Sequence, residues 1–196
     1  MKVNWKRFAG LFLLFNVVLL LSGCGPVTWL SDALNIVTIV SGMAAGVLTL
    51  ISTLAPGILP VAIAAMIASI ITKLLGGLKD IENAVNEYKA NPQPTTLTKI
   101  EELVQVAIDN ATSFLNDIGI TNAALQGSIV KILELILTEL KSFQSMLPAL
   151  GAKAGAKLII TVPMTSKEAK DAYNRILSEP TGDAAVDKAL AGVPRL

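Results

Sequence analysis

Apolar side chains recur every three or four residues through two stretches in the second half of the chain, a spacing that selects one face of a helix. Ile100, Leu103, Val104, Ala107, Ala111, Phe114, Leu115 and Ile118 form one stripe. Leu125, Ile129, Ile132, Leu133, Ile136, Leu140, Phe143 and Leu147 form the other, with Glu and Lys on the outer positions of both. The first helix is predicted over 98–118, opened by Thr98 and Glu101 at capping-box spacing and closed by Gly119. The second starts after Thr121 and runs to about Leu147, where Pro148 stops it. The short link Gly119-Ile120-Thr121 favours an antiparallel hairpin.

Two further helices are predicted upstream. One covers 29–55, with Ser31 or Thr28 as its cap, and Pro56-Gly57 ends it. The next starts near Pro60, a residue suited to a first turn, and reaches Ala90 before Asn91-Pro92-Gln93-Pro94 breaks the chain. Its apolar face runs unbroken through Ile67, Ile71, Leu74, Leu78, Ile81, Val85 and Tyr88. Downstream of Pro148, residues 149–156 are small and flexible in type, and 158–162 (LIITV) suit a short extended segment. Thr165 and Glu168 repeat the capping-box spacing ahead of a helix to about Ser178, and a last short helix covers 183–191. Tyr173, Ile176 and Leu177 are placed to dock this tail. The expected fold is all-α: four-helix-bundle-like antiparallel helices with a short helical C-terminal tail.

Between Ala33 and Thr72 lie 40 residues without a charged side chain, interrupted only around Pro56 to Pro60. Each half approaches the length of about 20 residues that a bilayer core demands. Gly42 and Gly46 are spaced as GxxxG, and Asn35, Thr38, Gly42, Ala45, Thr49 and Ser52 recur every three or four residues. Two readings stay open. A hairpin in lipid, over 33–75, would turn this small, polar stripe toward a partner helix. A hairpin buried in the bundle would turn it toward water or a closely packed neighbour. The continuous apolar face of the helix from Pro60 to Ala90 favours the bundle, because the two helices downstream of Pro94 require such a partner.

The start of the chain has a different pattern. Lys2, Lys6 and Arg7 precede an apolar run over 8–21, followed by Leu21-Ser22-Gly23-Cys24. The run has signal-peptide length and is short for a membrane span. This segment resembles the signal and lipobox of bacterial lipoproteins, where Leu and two small residues precede the modified cysteine. The resemblance covers about the first 25 residues. It implies cleavage after Gly23, a thioether-linked diacylglycerol on Cys24, and a fatty acid such as palmitate on the new amine. Gly25, rather than Asp, follows Cys24. The resemblance then implies the cell envelope, at the periplasmic face of the outer membrane in a host with two membranes. The organisation expected is a signal over 1–23 and a lipidated linker over 24–30. A bundle over 31–148 follows, with an apolar hairpin at 31–90 and an amphipathic one at 97–148. Residues 149–196 are the flexible segment and short helices.

Composition narrows the chemistry. The chain has one cysteine, so no internal disulfide forms, and no histidine, which removes His-based nucleophile systems and metal sites. After loss of residues 1–23, 13 Lys and Arg face 15 Asp and Glu, too balanced for a nucleic-acid surface. Glu101, Glu102, Asp109, Asp117, Glu134 and Glu139 are the carboxylates of the helix over 98–118 and of the one that follows it, and they alternate with the apolar stripes as a solvated face. Glu134 is expected to pair with Lys131 one turn away. Gly76-Gly77 lacks the Lys and Ser or Thr of a phosphate loop and marks a kink or close packing. Trp29 suits either a membrane interface or the core. No residue stands out as catalytic, metal-ligating or cofactor-binding, so the sequence points to a non-enzymatic protein. Its expected partners are a membrane, through the anchor, and a protein or second copy met through helices.

Overall fold

The computed structural model describes residues 26–54, 57–117, 119–147 and 164–196. They form six helices: α1 (Pro26–Leu54), α2 (Val61–Ala90), α3 (Pro94–Asp117), α4 (Ala123–Met146), α5 (Ser166–Ser178) and α6 (Ala184–Ala191). No strand occurs among the described residues, and the 158–162 segment expected to be extended lies outside them, as do Gly23 and Cys24.

The first four helices contain 29, 30, 24 and 24 residues, roughly 36–45 Å at 1.5 Å per residue. Connections of six, three and five residues separate them. Links this short return each helix against the one before it, antiparallel. Contacts α1–α2, α2–α3, α3–α4 and α4–α1 close the ring. The all-α antiparallel bundle expected from the stripes is therefore the observed architecture. The α5–α6 pair does not hang free: α5 packs on α1 and α4, and α6 on α1 and α5.

Helix ends follow local chemistry, with two corrections. The Leu54 carbonyl closes α1 by accepting from the N–H groups of Gly57, Ile58 and Leu59 at 3.3, 3.1 and 3.4 Å. α1 already includes Pro26, so Ser31 is an interior residue rather than its cap. Likewise α3 starts at Pro94, not Thr98. A proline at the first helical position has its φ pre-set and no N–H to leave orphaned, which wins over the capping-box spacing. Thr98 instead donates its hydroxyl to the Pro94 carbonyl at 3.2 Å, one turn back. α4 is capped by Asn122, whose Oδ1 accepts from Leu125 N–H at 3.0 Å.

The core is continuous through the ring. Ile67, Ile71, Leu74, Leu78, Ile81 and Val85 of α2 and Ile100, Val104, Ala107, Ala111 and Phe114 of α3 are all buried, and the two helices pack together. Trp29 is a core residue and sits against Tyr88, ring centroids 5.7 Å apart and planes 52° apart. In α1 burial takes adjacent pairs, Ile36/Val37, Ile39/Val40, Met43/Ala44 and Leu50/Ile51. On a 3.6-residue helix such pairs span nearly half of the circumference, a broad face shared among contacts to four other helices.

Gly76 and Gly77 do not show the close packing that is one expectation for them: a methyl group at either would meet no atom within 4 Å. Each therefore carries the backbone-entropy cost of glycine in a helix with no packing return. Gly76→Ala and Gly77→Ala should each stabilise the protein by about 0.5–1 kcal/mol. A urea titration that gives no rise in midpoint for either variant would contradict this account of α2.

Candidate functional site: the α1 groove and its C-terminal cover

Each element of the C-terminal arm is fixed by its own short-range bonds. Thr165 caps α5 by accepting from Glu168 N–H at 3.2 Å, while the Glu168 carboxylate accepts from Thr165 N–H at 2.8 Å. These bonds hold the Glu168 carboxyl below its ordinary range. Gly182, at φ +82°, turns the chain between α5 and α6 in the left-handed region that side chains disfavour. Asp183 then caps α6 through Ala185 and Val186 N–H at 3.0 and 3.2 Å. After α6, Asn174 clips the chain end to α5: its amide donates to Leu196 O at 3.0 Å and its Oδ1 accepts from Leu196 N–H at 3.1 Å. Arg195 adds a bond to Asn174 O at 2.7 Å.

Two polar ties join the arm to α4. Asn122 Nδ2 donates to Asp183 Oδ2 at 2.9 Å, so one side chain caps α4 and anchors the turn before α6. That bond, with the Val186 N–H, lowers the Asp183 pKa. Lys131 Nζ meets Glu179 Oε2 at 2.7 Å and lowers the Glu179 pKa through the same bond. This corrects the Lys131–Glu134 pairing expected from helical spacing, since α5 brings a carboxylate within reach from another element. Between the ties is a hollow of about 210 Å³ bordered by Ala124, Ser128, Lys131, Ile176, Glu179 and Thr181. It falls below the roughly 300 Å³ at which ligand pockets usually begin.

The arm covers the GxxxG segment. Tyr173 and Leu177 are buried and Ile176 half-buried, as the docking expectation required. A methyl group on Gly46 would overlap the Tyr173 hydroxyl and lie 3.1 Å from Tyr173 Cζ and from Val193 Cγ1. One on Gly42 would overlap Leu196 Cδ2. The two glycines thus form a shallow seat on α1 for the C-terminal side chains. Other members of that stripe, Asn35, Thr38, Ala45 and Ser52, are exposed. Thr38, Thr49 and Ser52 donate their hydroxyls to α1 carbonyls one turn back, at 2.9, 3.0 and 2.8 Å.

The carboxylates divide. Glu102, Asp109 and Glu134 are exposed and Glu101 is half-buried, while the Asp117 side chain lies outside the described residues. Among the described residues, no group of three or more His, Cys, Asp or Glu is gathered as a metal ion requires. Glu139 departs from the solvated face assigned to it: it is 0% exposed, and neither carboxylate oxygen has a hydrogen-bond partner. Burial pushes its pKa up from 4.5 to about 7. The sequence held one signal of this. Leu135 and Leu137 extend the apolar surface of α4 beyond a single stripe, so the helix had to be covered from a further side. Two other buried polar atoms also lack a partner, Trp29 Nε1 and Tyr173 Oη, and burial raises the Tyr173 pKa to about 12.

α1 and α2 are both long and apolar enough to cross a membrane. Their packing differs. α1 turns its Ile, Val and Leu inward, whereas the first half of α2 leaves Val61 78% and Met66 36% exposed, beside Ala62 and Ala65. No family model, no curated protein and no solved structure matches this chain.

The Gly46 seat has a clear test. Gly46→Ala should destabilise the protein by about 1–3 kcal/mol through overpacking. Tyr173→Phe removes both the overlapping hydroxyl and an unsatisfied buried group, so it should cost little alone and recover part of the Gly46→Ala loss. Strictly additive effects in a double-mutant cycle by denaturant unfolding would mean that the two residues do not meet. Asn122→Ala should cost about 1–2 kcal/mol in the same assay, because it removes a helix cap and a tie to the arm together.

Proposed function

We propose that the chain is a lipid-anchored helical lipoprotein of the bacterial cell envelope with a non-enzymatic structural or binding role. The single observation that carries this reading is Leu21-Ser22-Gly23-Cys24, directly after a basic segment and an apolar run of signal length. Cleavage after Gly23 leaves Cys24 two residues ahead of α1, so its acyl chains attach the bundle by the end where α1 begins. Two or three chains hold a protein at a membrane firmly, where a single chain is marginal. In a host with two membranes, Gly25 after the cysteine fits the periplasmic face of the outer membrane.

The packing of α1 supports a bundle that stands on the membrane rather than within it. A helix in lipid presents Leu, Ile and Val outward; α1 buries Ile36, Val40, Leu50 and Ile51 and exposes Asn35, Thr38, Ser52 and Thr53. Carboxylates that are not gathered into a cluster among the described residues, and the missing histidine, support a non-enzymatic role. A protein partner or a second copy would be met through a helix face, and the balanced charge disfavours nucleic acid.

A second reading, a membrane-inserting protein of pore-forming or lysis type acting through 33–75, is favoured by the exposed apolar half of α2 and by the length of both helices. Residues 25–196 expressed without lipid separate the two. A soluble monomer with one cooperative unfolding transition supports the packed bundle, and a product that needs detergent supports insertion. The anchor has its own test: labelled palmitate should enter the wild-type protein in bacteria and not Cys24→Ser. Equal incorporation into both would refute lipidation at this residue.

A further inference from the structure

The middle of α2 carries the run Lys73-Leu74-Leu75-Gly76-Gly77-Leu78-Lys79-Asp80. Seven residues make nearly two turns of a 3.6-residue helix, so Lys73 and Asp80 share one face, with the glycine pair midway between them. Lys73, Gly76 and Asp80 are exposed and Gly77 is half-buried. This face points away from the bundle, because the buried Ile67, Ile71, Leu74, Leu78 and Ile81 mark the other side of α2.

Two observations set it apart from an ordinary solvated face. Gly76 and Gly77 lie in the interior of a 30-residue helix, where glycine is costly, yet nothing in this chain comes within 4 Å of the space their side chains would fill. What glycine offers there is bare backbone that a second helix can approach closely. The charges are the other observation. On the same helix Lys79 is paired with Glu82, and Glu87 with Lys99. Lys73 and Asp80 have neither an ion pair nor a hydrogen bond among the described residues.

We propose that this face of α2 docks on the same face of a second copy of the chain, the two helices crossing antiparallel at Gly76-Gly77. A two-fold axis through the midpoint of the glycine pair turns one helix end for end. It sets Lys73 opposite the partner's Asp80 and Asp80 opposite the partner's Lys73, while glycine meets glycine. The order of the charges selects both occupant and orientation. A parallel pair would place Lys73 on Lys73 and Asp80 on Asp80, and like charges in register repel. An anionic lipid surface would meet the Asp80 carboxylate, and acyl chains would find bare backbone where a lipid-facing helix presents Leu or Ile.

Helices that meet at glycines cross at roughly 40° and separate within about two turns on each side. The contact is therefore smaller than the roughly 800 Å² per partner of a stable interface. Dilute copies stay apart, and copies confined to one membrane pair, because confinement raises their effective concentration. The inference deepens the binding role proposed above by naming a second copy as the partner.

Sedimentation equilibrium of the full-length protein in density-matched non-ionic detergent, over a range of protein-to-detergent ratios, tests this. The wild type should show a monomer–dimer equilibrium. Lys73→Asp turns two attractive pairs per dimer into two repulsive ones and should raise the dissociation constant about tenfold. Asp80→Lys should do the same. The double variant Lys73→Asp/Asp80→Lys exchanges the charges across the axis and should return to within about threefold of wild type. Gly76→Leu should abolish the dimer by blocking close approach. It should not lower the urea midpoint of the dilute protein, since the space beside Gly76 is open. Gly76→Ala should raise that midpoint and still weaken the dimer, opposite movements that a glycine serving only the fold would not give. A wild type that is monomeric at every ratio overturns the proposal, and that is the result if the face takes lipid or another protein instead. So do single charge variants that dimerise like wild type, or a double variant no better than either single. These outcomes are independent of Cys24: loss of palmitate labelling would overturn the anchor and leave the α2 pair standing.

Discussion

The structure depends on covering α1. Its uncharged sequence presents apolar side chains over nearly half of its circumference, and no single neighbouring helix buries that much surface. α2 and α4 flank it within the ring, and α5 with α6 supply the remaining side. The C-terminal arm is thus part of the solution to the hydrophobic requirement of the first helix. Each methylene so removed from water contributes roughly 0.8 kcal/mol, and this explains why a tail of two short helices is ordered against the bundle.

The same requirement shapes the polar groups. Hydroxyls of Thr38, Thr49, Ser52 and Thr53 are satisfied by carbonyls of α1 itself, leaving a face that is polar in composition yet makes few demands on its surroundings. The Glu139 carboxylate on α4 and the Tyr173 hydroxyl on α5 are enclosed without partners. Meanwhile the ties that hold the arm, Asn122–Asp183 and Lys131–Glu179, lie at its outer edge. The arm is consequently anchored by polar bonds at its outer edge, while its covered side holds the unpartnered Tyr173 hydroxyl over α1.

The proposed anchor at Cys24 has a geometric consequence for the bundle. An N-terminal lipid would hold one end of a bundle some 40 Å long. The far end then presents the α1–α2 turn and the apolar first half of α2.

The helices and their turns were legible in the sequence because they depend on neighbours in the chain. The 3.6-residue spacing of Ile100 to Ile118 and of Leu125 to Leu147 sets two helix faces. Pro56-Gly57 and Asn91 to Pro94 set the breaks, and Thr165 with Glu168 sets a cap. Short links then made the antiparallel ring almost unavoidable. The Thr98 capping box misled because Pro94 opens the helix a turn earlier by an equally local rule. Only tertiary structure decided which surfaces meet across a hundred residues. It placed Tyr173 and Leu196 on the GxxxG glycines, exchanged Glu134 for Glu179 as the partner of Lys131, and enclosed Glu139. The physical reason is that spacing along one helix fixes which residues share a face. It does not fix what lies opposite that face, and burial, pairing and pKa are all properties of what lies opposite.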